Sequence, residues 1–254
     1  MSTVKKLSAV IITYNEVNYI KDCIESVLFA DEIIVVDSFS TDGTWEYLES
    51  HPKVTAIQHP FEDFTKQKSY ALSLAKNDWV LFIDADEIIT KELQSEIQTV
   101  LKNPSKEAYY IYRSFIMLGT PLRFSGFQTD KVYRLFNKMY VKFNPEKTVH
   151  EDLIVKGSSG GLNEKLEHHF FKSYKDYKRR MLLYGTYKGK ELYKAKLNPN
   201  FYHLNIKPAY KFLTHYIIRL GFLDGKNGFI ISKLNALSVK ERYLEIKRLK
   251  KLNS

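Results

Sequence analysis

The chain holds one cysteine, Cys23, so no internal disulfide can form. That usage suits a reducing compartment. Cys23 stands among apolar residues at helical spacing and is expected in the core. No run approaches the roughly 18 apolar residues of a membrane span. After "MSTVKKL" the apolar stretch "SAVIITY" is too short for the core of a signal peptide. These absences point to a cytoplasmic protein, soluble or peripheral to a membrane. There is no repeat of fixed period and no low-complexity linker. The turn after the first expected strand, "TYNEVN", has no glycine. That excludes the glycine-rich turn of a dinucleotide-binding Rossmann domain and the phosphate loop of a sugar nucleotidyltransferase.

Charge is plentiful but unevenly placed. Residues 1–169 carry 19 Lys+Arg against 24 Asp+Glu, and residues 170–254 carry 20 against 5. A mildly acidic body therefore precedes a segment of net charge +15. Such a segment favours a polyanion: nucleic acid, anionic lipid or a phosphorylated substrate. No nucleic-acid motif accompanies the charge, so nucleic acid is not expected as a partner.

The N-terminal half alternates strand and helix. "LSAVIIT", "EIIVVD", "VTAIQH" and "WVLFI" read as buried strands, with helical patterns between them, and "AYYIYRSF" as a fifth strand. Continuous apolar strands separated by helices imply an α/β fold whose parallel sheet is covered on both faces. In such sheets ligands bind beyond the carboxyl ends of the strands. The polar residues there are Thr13, Asn15 and Glu16 after the first strand, Asp37 and Ser38 after the second, and Asp84, Asp86 and Glu87 after the fourth. Asn15 is also placed to cap the helix that follows. Repulsion between two carboxylates about 4 Å apart is on the order of 4 kcal/mol at an effective dielectric near 20. The stretch "WVLFIDADEIIT" thus calls for a compensating charge, and a divalent cation on hard oxygen ligands is the expected one. A phosphatase with paired aspartates places its nucleophile after the first strand, whereas this pair follows the fourth. From Ser173 the pattern is helical to the end, broken near Leu197–Asn200 and Leu223–Gly228, with "SVKE" at Ser238–Glu241 reading as the capping box of the last helix.

In this order, "ITYNE", "VVDSFSTDGT" and "DADE" resemble the family 2 glycosyltransferases of GT-A fold. "QKSYAL", "YRLF", "TVHED" and the late "GFLDGKNGF" resemble the bacterial branch that adds sugars to the lipopolysaccharide inner core, including the β-1,4-glucosyltransferases of core heptose. One departure stands out. Where the branch often carries a Gly-Gly-aromatic-Pro-Asp segment, this chain has "SGFQTDKVYRLF", keeping Asp130 but lacking the proline and one glycine.

The resemblance implies a mostly parallel GT-A sheet between helices over residues 1–170, with a nucleotide-sugar half (about 1–115) and an acceptor half (about 116–170). Residues 171–254 follow as a helical basic extension. It implies an inverting transfer from a nucleoside-diphosphate sugar, a UDP-hexose, to a lipid-linked or lipopolysaccharide-core glycan, with Mg²⁺ or Mn²⁺. By the same resemblance Asp86 ligates the metal, Asp84 contacts the ribose or the metal's water shell, and Asp37 accepts a bond from uracil or ribose. Thr13, Asn15 and Glu16 line the base pocket. Lys68 contacts phosphate or base, or is a solvated helix residue. The base that takes the acceptor proton is Glu151, with Asp152 or Asp130 as alternatives, and His150 completes the metal site. His168 and His169 are adjacent, face opposite ways on a strand, and read as structural. The stripe Lys207, Lys211, His215 and Arg219 reads as the basic face of a helix lying on an anionic membrane surface, which places the protein on the inner face of the cytoplasmic membrane. The rival class is a catalytically silent nucleotide-sugar-binding or scaffold protein, distinguished by donor hydrolysis with metal.

Overall fold

The computed structural model describes residues 4–144 and 153–252. They form two compact units. Among the described residues the first comprises 4–113 with 130–144 and 153–169, and the second 114–129 with 170–252.

In the first unit the order is β1 (Leu7–Thr13), α1 (Ile20–Ser26), β2 (Glu32–Asp37), α2 (Thr44–Ser50), β3 (Thr55–Gln58), α3 (Phe64–Leu74), β4 (Trp79–Asp84), β5 (Glu87–Ile88), α4 (Lys91–Lys102) and β6 (Ala108–Met117). β1 lies between β2 and β4, and β2 pairs β3, all parallel. Every residue of β1 is buried, and its alternate side chains feed two cores. Leu7, Ala9 and Ile11 join Ile20, Ile24, Leu93 and Ile97 on one face. Val10 and Ile12 join Ala71, Val80 and Phe82 on the other. A fully buried strand with period-two side chains serves both faces when it is apolar on both, as β1 is apart from Ser8 and Thr13. Cys23 lies in the first of these cores. Thr90 caps α4 by accepting from Leu93 N at 3.2 Å. Asn15 caps no helix: α1 begins after Tyr19, and the Asn15 carboxamide oxygen accepts from Thr41 N at 2.8 Å instead. A local cap was expected; a loop contact 26 residues away took the side chain.

Beyond β4 the sheet continues antiparallel. β8 (Lys131–Asn137) pairs both β4 and β6, and β11 (Ser159–Phe171) pairs β5. β9 (Val141–Phe143) and β10 (Leu153–Val155) form a separate ribbon.

In the second unit, β7 (Thr120–Leu122) pairs the end of β6. Helix α5 (Tyr174–Lys194) runs against α7 (Gly225–Leu252). The two meet at Gly185 and Gly189, where a Cβ would stand 2.6 Å from Ser238 O and from Arg242 O respectively. α7 is therefore continuous through Ser238, which is buried under Gly185, and the "SVKE" capping box expected to start a helix lies inside one. Between them, residues 201–218 are helical, with α6 (Lys207–Leu213) flanked by π-type turns at Tyr202–Ile206 and Thr214–Ile218. Asp224, in the "GFLDGKNGF" stretch, accepts from Arg123 N (2.9 Å), Phe124 N (3.0 Å) and Ser125 Oγ (2.9 Å), tying the 123–125 turn down.

The expected basic stripe does not face outward as a whole. His215 is buried and bonds Ser125 O through Nδ1 at 2.8 Å. Lys207 donates to the Tyr243 hydroxyl at 3.3 Å, and Lys211 is half-buried. Arg219 stays exposed, as do the apolar side chains of Phe201, Ile206, Tyr210, Leu213, Ile217 and Ile218 in the same stretch.

Candidate active site

The parallel registers align Thr13 with Asp37, Ile12 with Asp84, and Asp37 with Gln58, so the carboxyl ends of four strands share one rim. Around Asp37 the rim is held by a local network. Asp37 is buried; its oxygens accept from Ser40 N at 2.9 Å, from Ser40 Oγ, and from Gln58 Nε2 at 3.4 Å. Ser40 Oγ accepts in turn from Asn15 N at 2.8 Å, and Glu16 N donates to Thr44 Oγ1 at 3.0 Å. Asn15 sits at φ 54° and Phe39 at φ 61°, left-handed conformations that this network holds in place. Thr13 Oγ1 is buried with no hydrogen-bond partner among the described residues.

At the end of β4 the carboxylates separate into two environments. Asp84 pairs with Arg134 and, at 3.1 Å, with Lys68 Nζ. Glu87, fully buried, pairs with Arg134 Nη2 at 2.6 Å and accepts from Asp84 N at 3.0 Å. Arg113 lies 3.7 Å from Glu87 and 2.6 Å from Asp130. Burial alone would raise the Asp84 carboxyl, but the Arg134 and Lys68 charges outweigh it and hold it far below the usual carboxylate range. Lys68 is thus no solvated helix residue: it is 2% exposed. The compensating charge expected from a metal is supplied, for Asp84 and Glu87, by the protein's own cations.

Asp86 stands apart from these. Its Oδ2 lies 3.3 Å from His168 Nε2. Burial would raise its carboxyl, and the hydrogen bond and charge of His168 reverse that to a lowered value. His168 is therefore a direct partner of Asp86, a contact its sequence neighbours do not announce. The deciding fact is the β11–β5 pairing, which sets His168 opposite Glu87. His169 lies beside Tyr19, ring centroids 6.0 Å apart. Cys23 lies beneath the cluster with Sγ 3.7 Å from Asp84 O, and burial followed by the charges of Glu87, Asp86 and Asp84 pushes its thiol up, so it stays protonated.

Among the described residues no group of three His, Cys, Asp or Glu is arranged to hold a metal ion. His150, Glu151 and Asp152 lie outside the described residues. One hard oxygen and one imidazole nitrogen nevertheless converge at Asp86 and His168, donor types that suit a divalent ion. Asp130 is committed: its carboxylate receives the Arg113 guanidinium. A cavity of about 340 Å³ opens beside Asp84, lined by Lys68, Arg113, Arg134, Lys131, Tyr110 and Tyr133 among others. Sequence reasoning missed Arg134 and Arg113 as site residues; each lies on an antiparallel strand that reaches the rim only through sheet pairing.

A profile of the family described as glycosyl transferase family 2 matches residues 8–155. The chain belongs to glycosyl transferase family 2. A Rickettsia bellii relative, named an uncharacterized glycosyltransferase, is 32% identical over 98% of this chain and 87% of its own length. The lipopolysaccharide core biosynthesis glycosyltransferase LpsC of Rhizobium meliloti is 26% identical, with 93% of each chain covered. Among solved structures, TarS residues 1–349 from S. aureus in complex with UDP aligns with a TM-score of 0.51 at 16% identity, covering 98% of this chain and 92% of that one. This family 2 chain has the α/β GT-A fold. The resemblance read from its motifs is shown, both to the family and to its lipopolysaccharide-core members.

Proposed function

We propose that the protein transfers a hexose from a UDP-hexose, with inversion, to a lipid-linked or lipopolysaccharide-core glycan at the inner face of the cytoplasmic membrane. The observation that carries this reading is the division of carboxylates at the end of β4. Asp84 is fixed by Arg134 and Lys68, while Asp86 and His168 face each other at 3.3 Å. A silent relative would have no use for so costly a buried ionic cluster. The UDP in the TarS structure and the lipopolysaccharide-core role of LpsC support the donor and acceptor classes.

In this reading the Asp37–Ser40 network shapes the loop that receives the uridine, with Asn15, Glu16 and the unpartnered Thr13 hydroxyl along its wall. Asp84, held in one orientation, meets the ribose. Asp86 and His168 would hold Mg²⁺ or Mn²⁺, with His150 as a further ligand; the ion supplies Lewis-acid stabilisation of the leaving diphosphate. Lys68 and Arg134 keep Asp84 ionised and place positive charge near the diphosphate. Glu151 accepts the proton of the acceptor hydroxyl, with Asp152 as its alternative. Asp130, bound to Arg113, is the weakest of the three candidates because its lone pairs already accept a charge-assisted bond.

The test is calorimetric titration with UDP in the presence and absence of Mn²⁺, followed by hydrolysis and transfer assays with UDP-hexoses and a heptose-containing core acceptor. Metal-dependent UDP binding with transfer is expected; UDP binding without any turnover of donor would favour a silent binding protein.

A further inference from the structure

The helical stretch 201–218 is amphipathic with its apolar side outward. Pro208 and His215 are buried, Lys207 reaches back to Tyr243, and the Arg219 guanidinium lies over Gly126. Burial, then the charges of Arg219 and Arg242, lower the Lys211 ammonium pKa, as expected of a lysine turned toward the protein. On the opposite side Phe201 (72% exposed), Ile206, Tyr210 (65%), Leu213 and Ile217 recur at intervals of three to five residues, with Ile218 (66%) beside the last, and stand in solvent. Over 18 residues such a stripe is about 27 Å long. Isolated exposed apolar residues are ordinary, but a continuous stripe marks a surface that meets something.

Charge identifies the occupant. From residue 192 to residue 223 there is no Asp or Glu, while the exposed Lys194, Lys196 and Arg219 fall within that span. Lys226, Lys233, Lys240 and Lys247, seven residues apart and exposed, form a row along α7 of the same unit. A second copy of the chain would bring one basic surface against another. An anionic bilayer complements both features, apolar side chains entering the acyl boundary and ammonium groups meeting the headgroups. We propose that the outward apolar stripe of residues 201–218 is a membrane-docking surface that inserts into the interface of an anionic bilayer. This deepens the proposed function and rests on its lipid-linked acceptor, but it concerns the surface that brings the enzyme to that acceptor.

Liposome flotation tests it with the full chain. Wild type should float with phosphatidylglycerol–phosphatidylethanolamine vesicles and much less with phosphatidylcholine alone. High salt should reduce flotation without abolishing it, because the apolar part is not screened. The double variant Tyr210→Asp/Ile217→Asp should bind vesicles at least tenfold more weakly, about a factor of ten being expected for each large side chain withdrawn from an apolar phase. It should keep its circular-dichroism melting curve and UDP binding. A second readout is Ile218→Trp, whose fluorescence should be quenched by brominated lipid. The proposal is overturned if wild type does not float at low salt or if Tyr210→Asp/Ile217→Asp floats as wild type does. It is equally overturned if the Ile218→Trp signal is unquenched, or if sedimentation shows a wild-type dimer that the double variant splits, with no flotation by either. Loss of UDP binding in wild type would instead sink the catalytic reading and leave the flotation result standing.

Discussion

Asp84 and Asp86 are two positions apart and differ in every partner. Asp84 answers to Arg134 and Lys68, Asp86 to His168. Asp86→Asn should leave the fold intact, lower activity by orders of magnitude and remove the metal dependence of UDP binding; undiminished Mn²⁺-dependent binding by calorimetry would rule Asp86 out as a ligand. Glu151→Gln should lower turnover by about 10²–10⁴-fold with donor affinity nearly unchanged, as loss of a general base does. If Asp152→Asn gives that result and Glu151→Gln stays active, the base is the neighbour. Arg134 is different in kind. It is 5% exposed and serves two carboxylates, so Arg134→Met strands buried charge and should cost about 3–5 kcal/mol, read from urea midpoints.

The same residues set an acid limit. The carboxyls of Asp84 and Asp86 lie below their ordinary values in the folded protein. Their stabilisation is therefore fully present above the unfolded carboxyl value of about 3.9 and is lost as pH falls through the lower folded-state values. Urea midpoints should accordingly fall as pH drops below about 4, and Asp84→Asn should make that fall shallower.

At the scale of elements, the decisive contact of the second unit is the α5–α7 crossing. Glycines at 185 and 189 let backbone meet backbone, with Cβ positions that would crowd Ser238 O and Arg242 O. The spacing of four places both on one helix face. Gly189→Leu should destabilise by at least about 1–3 kcal/mol, the usual penalty for overpacking, visible as a lower melting temperature with UDP affinity retained. Gly228 is as constrained: a Cβ there would strike the carbonyl of Gly221. The glycines of "GFLDGKNGF" are thus packing residues, and its Asp224 is a clamp for the 123–125 turn.

For the molecule as a whole, the reading as a nucleotide-sugar enzyme makes stability respond to ligand. UDP with Mn²⁺ at about 100 times its dissociation constant should stabilise the fold by about 2.7 kcal/mol. In a chain of this size that is a rise of roughly 5–10 °C in melting temperature. Purine nucleoside diphosphates at the same concentration should give a smaller rise. Equal shifts for all nucleotides would remove the uridine assignment. Among the described residues no helix is long and apolar enough to cross a membrane.

Local signals were enough for the parallel half of the sheet. β1 and β4 are mainly apolar, with Ser8 and Thr13 in β1 and Asp84 at the end of β4, because both of their faces are buried. The acids at their carboxyl ends were legible for the same reason, since strand direction fixes which end carries the ligand. What compensates those acids was not legible. Arg134, Arg113 and His168 come from strands 26 to 82 residues further along, and only the antiparallel pairing and register of β8, β6 and β11 bring them to Asp84, Glu87 and Asp86. The direction of the 201–218 helix was undecidable in the same way. Its sequence has one basic and one apolar stripe, and either could face inward. His215 bonding Ser125 O and Lys207 reaching Tyr243 turned that part of the basic stripe toward the protein, while Arg219 stays exposed. Periodicity states that two faces differ; only the partners available in the folded chain decide which one is buried.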